Sequence, residues 1–143
     1  MNDQRSTINV FCDGGSRGNP GPAAYGFVIK KDGQTIKSQG GFIGIATNNF
    51  AEYTAIVEAL NCLKAQAPKQ DLSFFVDSQL VASQLSGIFK IKNPVIRELV
   101  FKIRILENGF GRITYTHIPR EQNKEADLQV NIALDAQQFS AKR

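Results

Sequence analysis

Apolar positions along the chain follow two periods, one typical of strands and one typical of helices. The first part of the chain has the strand pattern and predicts three strands, at residues 8–12, 24–30 and 35–43. Asp32 and Gly33 form a hairpin turn between the second and third strands, so the three strands are expected to form an antiparallel meander. The third strand is the least apolar and is therefore predicted to lie at the edge of the sheet.

After the meander, helical and extended segments alternate. Apolar stripes with helical spacing predict helices at residues 51–65 and 78–86, between residues 93 and 108, and at about 123–138. Two further strands are predicted at residues 72–76 and 112–118. Strands that are separated by helices pair in parallel through right-handed crossovers. The pattern therefore predicts an α/β fold, in which one mixed five-stranded sheet carries helices on its faces.

Composition adds the size and class of the protein. The chain has 143 residues, of which 42% are hydrophobic and 21% charged, a balance typical of one globular domain. We expect a single domain over residues 1–143, with a core at about 8–138 and a loose tail at 139–143. Cys12 and Cys62 fall in predicted core elements, so both are expected to be free thiols and not a disulfide or a metal frame.

Charge and hydropathy limit the partners and the location. No apolar run is long enough to span a bilayer, and the first ten residues lack the apolar core of a signal peptide. A cytoplasmic protein without membrane association is therefore expected. The formal net charge of +4 permits a polyanionic partner without requiring one.

Four acidic residues are predicted to point toward one edge of the sheet. Asp13 and Asp77 each follow an apolar strand directly, and open α/β sheets bind ligands at the carboxyl ends of their strands. Glu52 and Asp127 lie on the inward stripes of two helices, close to the helix starts. Each of these two has an ordinary explanation by itself, since Glu52 fits a capping box with Asn49 and Asp127 suits the helix dipole.

The common direction of the four acids needs a further explanation. Carboxylates at one edge repel one another strongly unless cations neutralise them. Hard divalent cations take oxygen ligands, and magnesium suits a few carboxylates together with phosphate and water. Two such ions about 4 Å apart are a recurring device for cleaving phosphodiesters. The acids therefore predict a site for divalent cations.

Four motifs carry a resemblance to a known family. In chain order they are DGGSRGNPGPAAYGFVI at 13–29, TNNFAEYTA at 47–55, VDSQLV at 76–81 and HIPREQNKEADLQVNIALD at 117–135. The chain resembles ribonuclease H type 1, in its compact bacterial and archaeal form, from residue 8 to about residue 138. The resemblance implies a ribonuclease H-like fold with strand order 3-2-1-4-5, the first three strands antiparallel, and about four flanking helices.

The resemblance also implies an activity and its residues. It implies a monomeric endonuclease that hydrolyses the RNA strand of RNA–DNA hybrids with two Mg²⁺ or Mn²⁺ ions, leaving 5′-phosphate and 3′-hydroxyl ends. Asp13, Glu52, Asp77 and Asp127 match the catalytic, metal-binding acids. The residues that match the family's substrate contacts are Gly14, Gly15, Asn19, Thr47, Asn48, Asn49, Ser78 and Gln79.

Two residues near the last acid have competing interpretations. His117 is the only histidine, and we expect it to be a packed strand residue that shares a face with Tyr115. Arg120 matches the arginine of the family's PRE motif. It is interpreted either as an aid to phosphate binding or proton transfer, or as part of a surface ion pair. An arginine stays charged, so it cannot be a general base.

The sequence departs from the family pattern at positions that are expected to affect substrate binding. Residues 87–93 are too short for the family's basic protrusion. Phe50 stands where a polar or small residue is more common, and Leu128 stands where a basic or polar residue is common. Modest affinity with marked salt dependence is expected. The alternative functions are a silent ribonuclease H-like nucleic-acid-binding module and a nuclease for DNA or double-stranded RNA. All four acids are present, which argues against the silent module, and the GNPG turn favours a hybrid.

Overall fold

The computed structural model describes residues 7–88 and 90–141. Its strands are β1 (Ile8–Ser16), β2 (Gly21–Lys31), β3 (Gln34–Ala46), β4 (Leu72–Val76) and β5 (Ile113–His117). Its helices are α1 (Asn48–Leu63), α2 (Gln79–Leu85), α3 (Pro94–Glu107) and α4 (Lys124–Ala141), with a 3₁₀ turn at Arg120–Gln122. Within these residues no helix is long and apolar enough to cross a membrane.

The five strands form one sheet in the order β3-β2-β1-β4-β5. The pairs β1–β2 and β2–β3 are antiparallel, whereas β1–β4 and β4–β5 are parallel. This arrangement confirms the predicted fold class, the strand order and the edge position of β3. The two cysteines are free thiols, and Cys12 is buried as expected, whereas Cys62 is only half-buried.

The sheet is covered on both faces. On one face, α1, α2 and α3 bury the main core against the strands, with side chains such as Val10, Phe27, Ile56 and Phe74 fully inaccessible. On the other face, α4 packs over the antiparallel strands through a smaller cluster of Ala24, Val130 and Leu134. Helices on both faces leave the ends of the sheet open, and one of these ends carries the acidic residues.

The first strand is longer than predicted. We expected it to end at Cys12, but its antiparallel pairing with β2 continues from Asp13 opposite Gly26 to Ser16 opposite Ala23. Its parallel pairing with β4 does stop at Cys12, which lies opposite Val76. Asp13 therefore lies inside β1, where the strand loses one neighbour and keeps the other.

The helix ends also differ from the prediction. Helix α1 begins at Asn48, three residues early, because Thr47 caps it by accepting a hydrogen bond from the Phe50 amide at 3.1 Å. The predicted capping box of Asn49 with Glu52 is therefore wrong, and Glu52 lies more than one turn inside the helix. Helix α4 continues to Ala141, past the predicted start of the loose tail at residue 139. Residues 142–143 of that tail lie outside the described residues.

Glycines let both acid-bearing helices lie directly on the strands. A Cβ atom on Gly14 of β1 would overlap the backbone of Ala51 and Glu52 in α1. On the other face, a Cβ on Gly26 or on Gly40 would come within 2.5 Å of a backbone oxygen of α4. Because there are no side chains in these places, the helices approach the strands at backbone distance. Their acids are thereby brought to the end of β1.

We predict that Gly14→Ala destabilises the protein by about 1–3 kcal/mol, because α1 must shift to accept the methyl group. Gly15→Ala is the matched control, since its Cβ would meet only Val130 Cγ1, at an ordinary 3.6 Å. Urea unfolding of both variants measures the difference. Equal free energies of unfolding for the two variants would contradict the close approach.

Candidate active site

Asp13 and Asp77 are neighbours at the end of the parallel strand pair. They directly follow Cys12 and Val76, the last two residues that pair in the parallel ladder between β1 and β4. Burial, the charge of Asp77, and a hydrogen bond with and the charge of Asp127 together raise the pKa of Asp13 to about 8, against the opposing effect of the Gly14 amide. At neutral pH without cations, the site therefore holds a proton that an exposed aspartate would have lost.

Asp127 approaches Asp13 from the first turn of α4. A hydrogen bond between the two carboxyl groups and the charge of Asp127 both raise the pKa of Asp13. The predicted inward direction of Asp127 is wrong, since its side chain is exposed to solvent. The reason is that α4 packs on the sheet through Ala126 and Val130, which are both buried and place Asp127 at the rim of the helix.

Glu52 completes the group from the second turn of α1. Burial and the charge of Asp77 raise the pKa of Glu52 to about 7, against the opposing effects of the Ser78 hydroxyl and Arg120. The Oε2 atom of Glu52 is buried without a hydrogen-bond partner. A buried carboxylate oxygen without a donor is costly, so this atom is a natural ligand for a cation.

The four predicted acids therefore converge, but they do not form a closed cage. Asp13 interacts with Asp77 and Asp127, and Glu52 interacts with Asp77. Across residues 7–88 and 90–141, no three histidine, cysteine, aspartate or glutamate side chains lie close enough to hold a metal ion by themselves. The convergence of the acids and the absence of a three-ligand cluster are consistent if a bound ion also takes water and phosphate oxygens, as magnesium does in such sites. The residues fit an open site for divalent cations.

Sequence reasoning missed Asn123, which fixes Asp77 in place. This side chain is 1% exposed, and its Nδ2 donates to the Cys12 carbonyl oxygen at 2.8 Å and to Asp77 Oδ2 at 3.1 Å. It thereby ties the segment before α4 to the end of the parallel pair. We predicted Asn123 only as the approximate start of the last helix, and both of its partners lie far away in the chain, so no local pattern marks these hydrogen bonds.

The glycine-rich turn is tied to the start of α1. The Oδ1 atom of Asn48 accepts a hydrogen bond from the main-chain amide of Ser16 at 2.8 Å. The main-chain amide of Asn48 donates to Asn19 Oδ1 at 3.0 Å. Beside this junction lies a groove of about 620 Å³, whose lining includes Asn19, Thr47, Asn49 and Phe50. The structure thus brings three of the predicted substrate residues to one groove and uses Asn48 to hold the turn.

The other predicted substrate residues lie nearer to the acids. Gly14 is buried beneath α1, and both Gly14 and Gly15 line a cavity beside Asp13. Ser78 caps α2 by accepting from the Val81 amide at 3.2 Å. Gln79 is exposed at the first position of α2.

Arg120 faces the acids from the 3₁₀ turn. It lines the cavity of about 180 Å³ that also contains Asp13 and Asp127, and its charge lowers the pKa of Glu52. Among the described residues it makes no ion pair. The surface ion pair that we considered is therefore not formed, and the guanidinium is available to an anion in the cavity.

Three further predictions concern residues around the site. The prediction that His117 is packed is wrong, because its side chain is exposed at the end of the edge strand β5. Phe50 is half-buried and packs against the main core, while also lining the groove. Leu128 is 56% exposed on α4.

The sheet order, with acids from β1, α1, α4 and the end of β4 at one edge, defines the ribonuclease H-like class of proteins. Residues 11–133 match the family described as "Reverse transcriptase-like". Ribonuclease HI of Halobacterium salinarum is 42% identical over 134 residues, which are 93% of this chain and 67% of that protein. The chain belongs to the ribonuclease H family, as a type 1 member.

Solved structures agree with this placement. The N-terminal RNase H domain of Rv2228c from Mycobacterium tuberculosis has a TM-score of 0.87 and 38% identity, over 95% of this chain and 99% of that one. LC11-RNase H1 in complex with an RNA/DNA hybrid also has a TM-score of 0.87, with 37% identity over 91% and 98% of the two chains. The chain spans only 37% of the full-length mycobacterial bifunctional protein, to which it is 42% identical.

We predict that Asp13→Asn stabilises the metal-free protein at pH 8 by about 1–3 kcal/mol. The pKa of Asp13 rises from 3.8 to about 8 on folding, so between these values the folded state binds more protons than the unfolded state. The wild type must therefore lose stability as pH rises from 4 to 8, and the variant escapes part of this loss. Urea unfolding in EDTA across this pH range measures both curves.

The matched control is Asp32→Asn, in an exposed hairpin turn with φ 52°, a conformation that asparagine tolerates. It should leave the slope of stability against pH unchanged. Parallel curves for the wild type and Asp13→Asn would contradict the raised pKa.

Proposed function

We propose that the chain is an endonuclease that hydrolyses the RNA strand of RNA–DNA hybrids with two divalent cations, Mg²⁺ or Mn²⁺, bound at its acids. The observation that carries the proposal is the convergence of the four carboxylates, two of them with raised pKa values. Their repulsion is relieved when cations replace the bound protons. Bound divalent cations supply an activated water and charge stabilisation for in-line cleavage of a phosphodiester.

The residues of the chain hold and orient the reacting groups. Asp13, Glu52, Asp77 and Asp127 would bind the cations, with the unpartnered Oε2 of Glu52 as one of the ligand atoms. Asn123 keeps Asp77 in position through its hydrogen bond of 3.1 Å. Arg120 lines the cavity beside Asp13 and would attract the phosphate there.

The groove beside the glycine-rich turn supports a nucleic-acid substrate. Asn19, Thr47 and Asn49 offer amide and hydroxyl groups along its lining. Such groups can bond to phosphate oxygens and to the 2′-hydroxyl that distinguishes RNA from DNA. The similarity to LC11-RNase H1, which was solved in complex with an RNA/DNA hybrid, supports a hybrid as the substrate.

The first test is cleavage of an end-labelled RNA–DNA hybrid, with double-stranded RNA, single-stranded RNA and duplex DNA alongside. We expect metal-dependent cutting of the RNA strand, abolished by EDTA and reduced at least about a hundredfold in Asp13→Asn and Asp77→Asn. Asp32→Asn should cut at the wild-type rate. Hybrid binding without cleavage under either metal would instead identify a silent binding module, and equal cutting of double-stranded RNA would widen the substrate class.

Binding should depend strongly on salt. Phosphate contacts release counterions, and the chain carries a net charge of only +4 without a basic protrusion. We predict that the affinity of Asp13→Asn for the hybrid falls at least about tenfold between 50 and 200 mM salt, because three or more phosphates are contacted. Fluorescence anisotropy measures this slope, and a flat slope would contradict recognition through the phosphate backbone.

A further inference from the structure

Arg17 connects the glycine-rich turn to one side of α4. Asp127, Asn131 and Asp135 are spaced four residues apart along the helix and therefore line the same side. Arg17 lies across this side, with Nη2 at 2.7 Å from Asp135 Oδ1 and at 3.4 Å from Asn131 Oδ1. Its Nη1 donates to Gln138 Oε1 at 3.1 Å.

Asn131 in turn contacts the exposed acid of the site. Its Nδ2 donates to Asp127 Oδ2 at 3.3 Å and to the Asp127 carbonyl oxygen at 3.1 Å. A chain of hydrogen bonds therefore runs from the turn, through one amide side chain, to the carboxylate of Asp127.

The donors and acceptors of Arg17, Asn131 and Asp127 fix the direction of this series of hydrogen bonds. A guanidinium has only donors, so it bonds the oxygen of the Asn131 amide and leaves the NH₂ group toward Asp127. A carboxylate has only acceptors when ionised, so it requires that NH₂ group. Arg17 and Asp127 thus select the same orientation of the Asn131 amide.

Asp127 is the acid that most needs such a restraint. Asp13, Glu52 and Asp77 are half-buried, and Asn123 holds Asp77, whereas Asp127 is exposed on α4. An exposed aspartate samples several side-chain conformations, and each one that points away from Asp13 weakens a site that both acids share.

We infer that Arg17 and Asn131 are positioning residues that hold the Asp127 carboxylate toward Asp13 in the geometry that binds a divalent cation. This inference rests on the proposed function, because it assumes that Asp127 binds a cation. Arg17 belongs to the hairpin that closes through its own amide and the Pro22 carbonyl oxygen at 2.8 Å. The turn that borders the substrate groove and the cation site are thereby coupled.

A purely structural role is separable from this one. The Arg17–Asp135 pair is a surface ion pair, with 39% and 68% of the two side chains exposed, and such pairs contribute little to stability. Lys30 offers a matched control, because its 2.7 Å ion pair with Glu125 also joins the sheet to α4 but involves neither Arg17 nor Asn131.

The test measures Mn²⁺ binding without nucleic acid, by electron paramagnetic resonance of the free ion. The proteins are the wild type, Asn131→Ala, Arg17→Gln, Arg17→Lys, Lys30→Gln and Asp127→Asn. We expect Asn131→Ala to weaken Mn²⁺ binding at least about threefold, as loss of a hydrogen bond to a metal ligand does. Arg17→Gln should weaken it less, Arg17→Lys should restore part of the loss, and Lys30→Gln should match the wild type.

A double variant shows whether the effect passes through Asp127. In the Asp127→Asn background, Asn131→Ala should change Mn²⁺ binding no further. A further loss in that background, or wild-type binding by Asn131→Ala alone, would overturn the inference while leaving the proposed function intact. Wild-type binding by Asp127→Asn would overturn the inference and the role of Asp127 as a ligand, whereas absence of Mn²⁺ binding by the wild type would overturn the cation site and the inference together.

Discussion

The main constraint on the site is the parallel pairing of β1 and β4, which places Asp13 and Asp77 side by side. The two carboxylates repel each other there. Neither carboxylate can move away, because each is fixed to a strand whose neighbouring residues are buried in the core. Two half-buried like charges at this spacing are unfavourable unless protons or cations neutralise them. Burial is the largest cause of the raised pKa of Asp13, at about 8, and the charge of Asp77 adds to it when no cation is present.

The remaining acids join this pair because backbone packs on backbone. Gly14 admits α1, and Gly26 and Gly40 admit α4, so both helices lie close enough to carry an acid to the end of β1. Hydrogen bonds then set the direction of the carboxylates, through Asn123 on Asp77 and through Asn131 on Asp127. The crowded carboxylates lower the stability of the protein, and they form a cluster of oxygen ligands at this edge of the sheet.

The sequence predicted the fold well because the apolar periods of its strands and helices are regular. Strand β4 matched its prediction at both ends, and the order of all nine main elements was correct within the described residues. The extension of β1 through Gly14 was not predictable from local propensity, since it depends on pairing with β2 and on the approach of α1. The exposure of Asp127 and His117, and the hydrogen bonds of Asn123 to Cys12 and Asp77, likewise depend on how neighbouring elements pack. A periodic pattern does not encode this packing.

The most direct test of this account is proton release on Mg²⁺ binding, measured by titration calorimetry at pH 7 in buffers with different enthalpies of ionisation. If the acids hold protons because they are crowded, Mg²⁺ must displace on the order of one proton at pH 7, and the displacement must fade well above the pKa of about 8 for Asp13. The Asp13→Asn variant should release less. Mg²⁺ binding to the wild type at pH 7 with no proton released would contradict the account, because the carboxylates would then be ionised without a cation.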